Sequence, residues 1–447
     1  MQLRWHQQVV LAIYRTGFTL AILLFVIVLF PFWVLIPKRR KTLFKRLGWQ
    51  DYPRRAPSSP GPVWIHALSV GELLSAGSLI ENLRRTIGDR PLFLSVSTLS
   101  AFVIATERFR RFCDGLFYFP YDVTYSVRNC LDKVDPALFV LVETDIWPGF
   151  LAELRRRGIL CLLVNGRLSP ESFRAYRFLR MLFRPAFNTF RWVYPQSSGE
   201  AERFLALGLE PARLRSTGNL KFDVALSLPA DEACTALRQE LNIPPGSRVM
   251  IAGSTHPGEE DVIRSVFLRL RKEFPSLRLI IVPRRPERGD EVANVFRNDG
   301  VQVALLSQLK RSPPVVVVVD RMGYLSRLYA LADIAVVGGS FVPKGGQNPI
   351  EPAACGKPVL FGPDMHDFPD VSRWLVEAGG AAQVRNEQEL FAECRRLLAD
   401  PQQARVMGDR ARGVVTANQG TTARIVADIT GLAHGSSPRV SSSLSGL

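Results

Sequence analysis

A small set of acids and cations sits where short apolar runs give way to helical spacing, and their chemistry is proton abstraction and anion binding. Glu72 closes the run His66-Ala-Leu-Ser-Val-Gly-Glu72, directly after an apolar stretch. A carboxylate in the first turn of a helix, at a sheet edge, can take a proton from a substrate hydroxyl. The same spacing, Ser69-x-x-Glu72, also reads as a capping box, with the glutamate stabilised by the helix dipole. Gly71 beside it favours close approach of the backbone to a ligand. Glu143-Thr-Asp-Ile-Trp-Pro148 ends a second apolar run and places two acids, Glu143 and Asp145, where they could share a cleft with Glu72. Helix capping by Thr144 or Asp145 ahead of Pro148 accounts for that run equally well. Gly218-Asn-Leu-Lys221-Phe-Asp223 offers a lysine that could meet a phosphate or a developing negative charge, or could simply be solvated.

Three later loops suit phosphate. Gly253-Ser-Thr-His-Pro-Gly-Glu-Glu260 runs from a strand into a helix, with Ser and Thr able to cap it. Pro283-Arg-Arg-Pro-Glu-Arg288 offers guanidinium forks. In the run from Gly338 to Glu351, four glycines let the backbone approach a ligand, and a helix beginning near Asn348-Pro349 would present free N–H groups to an anion. Glu351 could accept both hydroxyls of a ribose. Each loop alone could be turn chemistry; three at the ends of one sheet favour a nucleotide. Arg174, Arg177, Arg180 and Arg184 alternate with Phe173, Tyr176, Leu179, Phe183 and Phe187 at helical spacing. Such a helix can lie among anionic lipid headgroups or be an ordinary amphipathic core helix.

These residues need a scaffold of strands to carry them. Apolar runs at 63–67, 92–98, 116–120, 138–143, 161–165 and 192–196 alternate with helical patterns. That is a doubly wound parallel sheet. After a break at 219–231 the pattern restarts, with strands expected at 249–253, 277–283, 301–306, 315–320, 334–338 and 358–362. The chain is therefore expected to hold two Rossmann-like domains, 61–222 and 223–433, facing a ligand cleft, with a disordered tail at 434–447. Neither G-x-G-x-x-G nor a P-loop occurs, which removes dinucleotide dehydrogenases and P-loop kinases.

Composition bounds the rest. The chain has 447 residues, 47% hydrophobic and 22% charged, so it is globular with room for two or three domains. Of the net charge of +16, residues 1–60 carry +9, and the remainder is too dilute for nucleic-acid binding. Six scattered cysteines read as reduced, and five histidines lack metal-ligand spacing. Residues 17–37 are uncharged and apolar, and KRRKTLFKR follows at once. The segment 1–60 is thus expected to be a membrane anchor that keeps the body cytoplasmic; a cleaved signal peptide is opposed by the charge behind it.

Together SVGE (69–72), ETDIWP (143–148), GNLKFD (218–223), GSTHPGEE (253–260), PRRPER (283–288) and GGSFVPKGGQNPIEP (338–352) resemble the 3-deoxy-D-manno-octulosonic acid (Kdo) transferase family. The resemblance runs in order from the N-terminal segment to about residue 420. It implies a GT-B type inverting glycosyltransferase on the inner membrane, moving Kdo from CMP-Kdo to a lipid A precursor without cofactor or metal. It implies that Glu72 is the proton acceptor and that Glu143 and Lys221 stabilise the transition state. Pro283, Arg284, Met322, Gly323, Tyr324, Asn348, Pro349, Ile350 and Glu351 would hold CMP. The acceptor and the membrane would meet Arg174, Arg177, Arg180 and Arg184. Arg285, Gln347 and Tyr324 depart from residues usual in the family, which bears on donor contacts more than on reaction class. The readings that compete with it are a UDP-sugar-dependent GT-B transferase and a non-catalytic, membrane-tethered binder of anionic glycolipid.

Overall fold

Six strands build the first sheet: β1 (Val63–Ala67), β2 (Leu92–Val96), β3 (Gly115–Tyr118), β4 (Leu138–Val142), β5 (Leu160–Gly166) and β6 (Trp192–Pro195). They lie in the order β3-β2-β1-β4-β5-β6, every neighbouring pair parallel. Helices cover both faces, which is why the strands read as near-continuous apolar runs. In β1, Val63, Ile65 and Ala67 join a core with Leu79, Ile80 and Leu83, while Trp64 packs into the opposite core against Phe117, Phe139 and Phe150. The second sheet has β7 (Val249–Thr255), β8 (Arg278–Pro283), β9 (Val303–Leu305), β10 (Val316–Val318), β11 (Ile334–Val337), β12 (Val359–Phe361) and β13 (Ala381–Gln383). Their order is β13-β12-β11-β7-β8-β10-β9, again all parallel.

The computed structural model describes residues 5–34, 37–56, 59–215, 218–223, 231–309 and 312–433, the side chains of 6, 21–41, 231 and 233 excepted. The expected tail at 434–447 lies outside the described residues. Two compact units result: Met1–Val224 with Gln419–Leu447, and Ala225–Asn418. All twelve expected strands are present, with ends trimmed where capping intervenes. The run 92–98 stops at Val96 because Thr98 caps the helix Leu99–Ile104. The thirteenth strand, Ala-Ala-Gln at a sheet edge, has no β-branched residue to announce it.

The second expected domain, 223–433, gives up its last helix. Thr421–Ala433 returns to the first unit, where Ile425, Val426 and Ile429 complete the core around Leu79 and Ile80. The Asp223 carboxylate accepts the Gly420 N–H (2.6 Å) and the Thr422 N–H, and the Tyr194 hydroxyl donates to Asp428 Oδ2 (2.5 Å). An amphipathic helix carries no mark of which sheet it will cover.

At the N-terminus, helices span Trp5–Val34 and Pro37–Arg46. Tyr14 donates its hydroxyl to Asp122 Oδ2 (2.9 Å), Arg15 donates to the Gly149 carbonyl (3.0 Å), and Phe18 meets Trp147 edge to face. Arg46 Nε donates to the Phe119 carbonyl (3.0 Å), its guanidinium 4.1 Å above the Tyr121 ring. Residues 14 and 46 are thus fastened to the same short stretch, 119–122. Among the described residues no helix is long and apolar enough to cross a membrane. Most of the uncharged run 17–37 belongs to the side chains outside that description.

Candidate active site

In the first sheet the strand order reverses between β1 and β4, and ligands of such sheets bind beyond the strand C-termini at that point. β1 leads through Ser69 into the helix Val70–Ser75, which carries Glu72 in its first turn. The capping reading and the catalytic position coexist. Ser69 Oγ accepts the Glu72 N–H (3.4 Å), and Glu72 Oε2 accepts the Leu68 N–H (2.5 Å). Burial, then the charges of Glu143 and Asp145, push the Glu72 carboxyl up to about 8.

β4 delivers Glu143, which holds a left-handed backbone (φ +59°), and β5 delivers Asn165 in the same state (φ +57°). Asparagine tolerates that region, but it is unfavourable for glutamate, so the Glu143 stretch is held against its preference, as happens at functional sites. Asn165 Nδ2 donates to Glu143 Oε1 (3.3 Å), and Asn165 Oδ1 accepts the Leu220 N–H (3.1 Å). Asn219 caps the short turn Leu220–Phe222 and so places Lys221. Burial raises the Glu143 carboxyl, while Lys221 and Arg167 oppose the rise. Glu143 thus acts on Glu72 and is itself acted on by Lys221, so the three separate motifs are linked through Glu143.

Capping does not account for Thr144 and Asp145. The helix Pro148–Arg156 starts at Trp147 with no side-chain cap. Thr144 Oγ1 bonds Arg167 backbone instead, and Asp145 Oδ2 lies 3.4 Å from His66 Nε2. His66 is wholly buried, stacked 3.9 Å from Phe119, with Nδ1 3.0 Å from Ser95 Oγ. Burial lowers its pKa, favouring a neutral ring. Asn165 and the His66–Asp145 pair escaped sequence reasoning; the Asn-Gly at 165–166 ending an apolar run was the available signal for the first.

The second sheet reverses between β7 and β11. Arg284, exposed, follows β8, with its N–H donated to the Thr255 carbonyl (2.9 Å). Arg288 is not available to a ligand, since Glu260 and Glu291 bind it (2.8 Å each). The helix Glu259–Glu273 is capped by Gly258 (φ +94°) and not by Ser254 or Thr255 as expected, because β7 extends through Thr255. The helix Ile350–Ala354 does not offer its first N–H: Asn348 Oδ1 accepts it (3.1 Å), while Asn348 Nδ2 donates to Glu351 Oε1 (3.2 Å). Pro349 is the cap residue of that helix. Burial raises the Glu351 carboxyl, opposed by Asn348 and by the charge of Arg284. Met322 is exposed, Gly323 adopts φ +83°, and Tyr324 stacks beneath Arg327 (4.6 Å). Gln347 Nε2 lies 3.5 Å from His256 Nε2, and Arg285 is exposed.

The arginine-rich stretch forms two helices, Pro170–Phe178 and Arg180–Phe187, broken at Leu179. Phe183 and Phe187 are core, so the aromatic stripe faces inward and does not lie on a lipid surface. The arginines remain exposed beside Phe178, Leu179 and Met181. Arg177, Arg180 and Arg184, with Ala206–Gly208, line an open groove of about 350 Å³. Among the described residues no three His, Cys, Asp or Glu side chains are grouped to hold a metal ion.

Residues 41–224 match the family described as 3-deoxy-D-manno-octulosonic-acid transferase (kdotransferase). Over 400 residues the chain is 31% identical to the 3-deoxy-D-manno-octulosonic acid transferase of Haemophilus influenzae, covering 87% of this chain and 91% of that one. It is 31% identical over 384 residues to the enzyme of the same name from Bordetella pertussis, covering 83% and 87%. A solved glycosyltransferase of Rickettsia africae superposes with a TM-score of 0.56 at 13% identity, covering 85% of this chain and all of that one, a likeness of fold.

Proposed function

This chain belongs to the 3-deoxy-D-manno-octulosonic acid transferase family, and on that premise we propose how it moves Kdo from CMP-Kdo to a lipid A precursor. It is a glycosyltransferase of lipopolysaccharide core biosynthesis. We read it as an inverting GT-B enzyme in which the first unit supplies the base and the second the nucleotide cradle. The observation that carries this reading is Glu72, at the reversal point of its sheet, a carboxyl whose pKa is raised by burial and by the charge of Glu143, on which Lys221 acts in turn.

An alcohol is a weak nucleophile near neutrality, so its proton must leave as the new bond forms. Glu72 takes it. Its raised pKa makes the ionised form a stronger base than an ordinary carboxylate. As the bond from the anomeric carbon to CMP breaks, the phosphate gains charge; Lys221 is the cation we assign to the transition state and Arg284 the one we assign to CMP. Pro283, Met322–Tyr324 and Asn348–Glu351 shape the CMP site, Glu351 facing the ribose. Incubation with CMP-Kdo and a lipid A precursor should give an acceptor heavier by whole Kdo residues in the mass spectrum. Transfer from a UDP-sugar alone, or no transfer, would overturn the assignment.

Since Glu72 must be ionised to act, kcat/KM should climb about tenfold per pH unit below pH 8 and level off above it. A profile already flat from pH 6 to 8 would contradict this base.

We also propose that the protein sits on the cytoplasmic face of the inner membrane through residues 17–37, with the acceptor's phosphates at Arg174, Arg177, Arg180 and Arg184. Tyr14 and Arg46, flanking that run, bind the same stretch of the first unit, so both ends of the anchoring segment are held against that unit. Charge reversal of Arg174 and Arg177 together should lower the fraction co-floating with phosphatidylglycerol vesicles and slow transfer to a vesicle-borne acceptor. Unchanged flotation and rate would remove these arginines from the docking face.

A further inference from the structure

The second unit buries an acid that the mechanism above does not use. Glu259 opens the helix Glu259–Glu273 and is 1% exposed. Its carboxylate accepts four backbone N–H groups. Oε2 takes those of His256 (2.8 Å) and Gly339 (2.7 Å); Oε1 takes those of Ser340 and Phe341 (3.0 Å each). Three consecutive N–H groups converging on one point form a nest, the backbone concavity that ordinarily captures an external anion. Gly339, at φ +67°, supplies the left-handed residue that makes the concavity.

The nest lies after β11, and the other donor lies after β7, so Glu259 bridges the two strand ends between which this sheet reverses. From the nest the constraint passes along the chain. Gly346 donates to the Gly339 carbonyl (2.8 Å) and Gln347 to the Gly338 carbonyl (2.9 Å), which brings the loop back to Asn348 and Glu351. Gly338 seals the join, since a Cβ there would meet the Ser254 carbonyl oxygen at 2.6 Å.

We propose that Glu259 is a positioning residue, a resident anion that fills the Gly339–Phe341 nest and thereby sets the nucleotide loops in register. The nest is then closed to the donor's phosphate, which falls to side-chain cations such as Arg284. This rests on the CMP-Kdo reading of the second unit, but the nest itself can be tested without it.

In the full-length protein, Glu259→Ala empties the nest, and Glu259→Gln puts an amide N–H₂ against N–H donors. Both should weaken CMP binding by calorimetry by about 100-fold, the scale of a misplaced site. Sodium acetate should restore affinity to the alanine variant saturably, beyond sodium chloride at equal ionic strength, and should not rescue the glutamine variant. Glu260→Gln, which breaks the neighbouring pair with Arg288, should lower the melting temperature without weakening CMP. Glu259→Asp keeps the charge but draws the nest back by one methylene; it should melt near wild type yet bind CMP more weakly, which covers an alanine variant that does not fold. Wild-type affinity in both Glu259→Gln and Glu259→Asp, or equal effects of acetate and chloride, would overturn the proposal. If wild type binds no CMP, the nucleotide reading fails; acetate raising the melting temperature of Glu259→Ala beyond chloride would still establish the nest, and equal effects would refute it.

Discussion

Glu72→Gln is expected to cut kcat by about 10²–10⁴-fold, the contribution of a positioned general base, while CMP binding is retained. The amide oxygen can still accept the Leu68 N–H, so the helix start survives and the loss is chemical. Stability moves the other way. Because the folded environment raises the Glu72 pKa to about 8, the protonated carboxyl's stabilisation is complete below the ordinary carboxylate range. It is lost progressively as pH rises through about 8. The glutamine variant, which cannot ionise, should therefore melt no lower than wild type at pH 6 and higher at pH 9. Paired kinetics and thermal melts at those pH values check both halves. Near-normal turnover, or a variant that melts lower at pH 9, would remove Glu72 as the buried base.

Lys221→Ala is expected to lower kcat by about 10²–10³-fold, as loss of a preorganised charge at a developing anion does. KM should change far less, because the interaction strengthens only as the phosphate departs. The turn that carries Lys221 is held by the Asn219 side chain and by backbone, so truncation leaves it in place. Without the ammonium, Glu143 loses one of the two cations that oppose its raised pKa and should bind its proton more tightly. Lys221→Arg, which restores charge but not shape, should recover part of kcat. Steady-state kinetics with CMP-Kdo would decide, and a loss confined to KM would reassign Lys221 to ground-state binding.

Much of this was legible in the order of residues because burial writes itself as apolar runs. β1 to β12 sit between two helical layers, and such strands are hydrophobic on both faces whatever their neighbours. Glu72 and Glu143 stood out because polar residues soon after such runs fall at strand C-termini, and Lys221 because it stands at the break between the two strand patterns. What stayed hidden depends on partners distant in sequence. Glu259 looks like one of a pair of surface acids after Gly258, and only the arrival of Gly339–Phe341, 80 residues later, makes it a buried anion. His66 resembles an ordinary polar residue until Asp145 and Phe119 close around it. The arginine and aromatic positions were read correctly as amphipathic, but the break at Leu179 and the inward turn of Phe183 and Phe187 follow from tertiary packing.

The return of Thr421–Ala433 to the first sheet makes the second unit an insertion within the first. A ribosome would therefore finish the whole of the inserted sheet while the earlier one still exposed the apolar surface around Leu79 and Ile80. During that interval the nascent chain needs shelter, and a stop codon near residue 418 would spare the later-made half and ruin the earlier one.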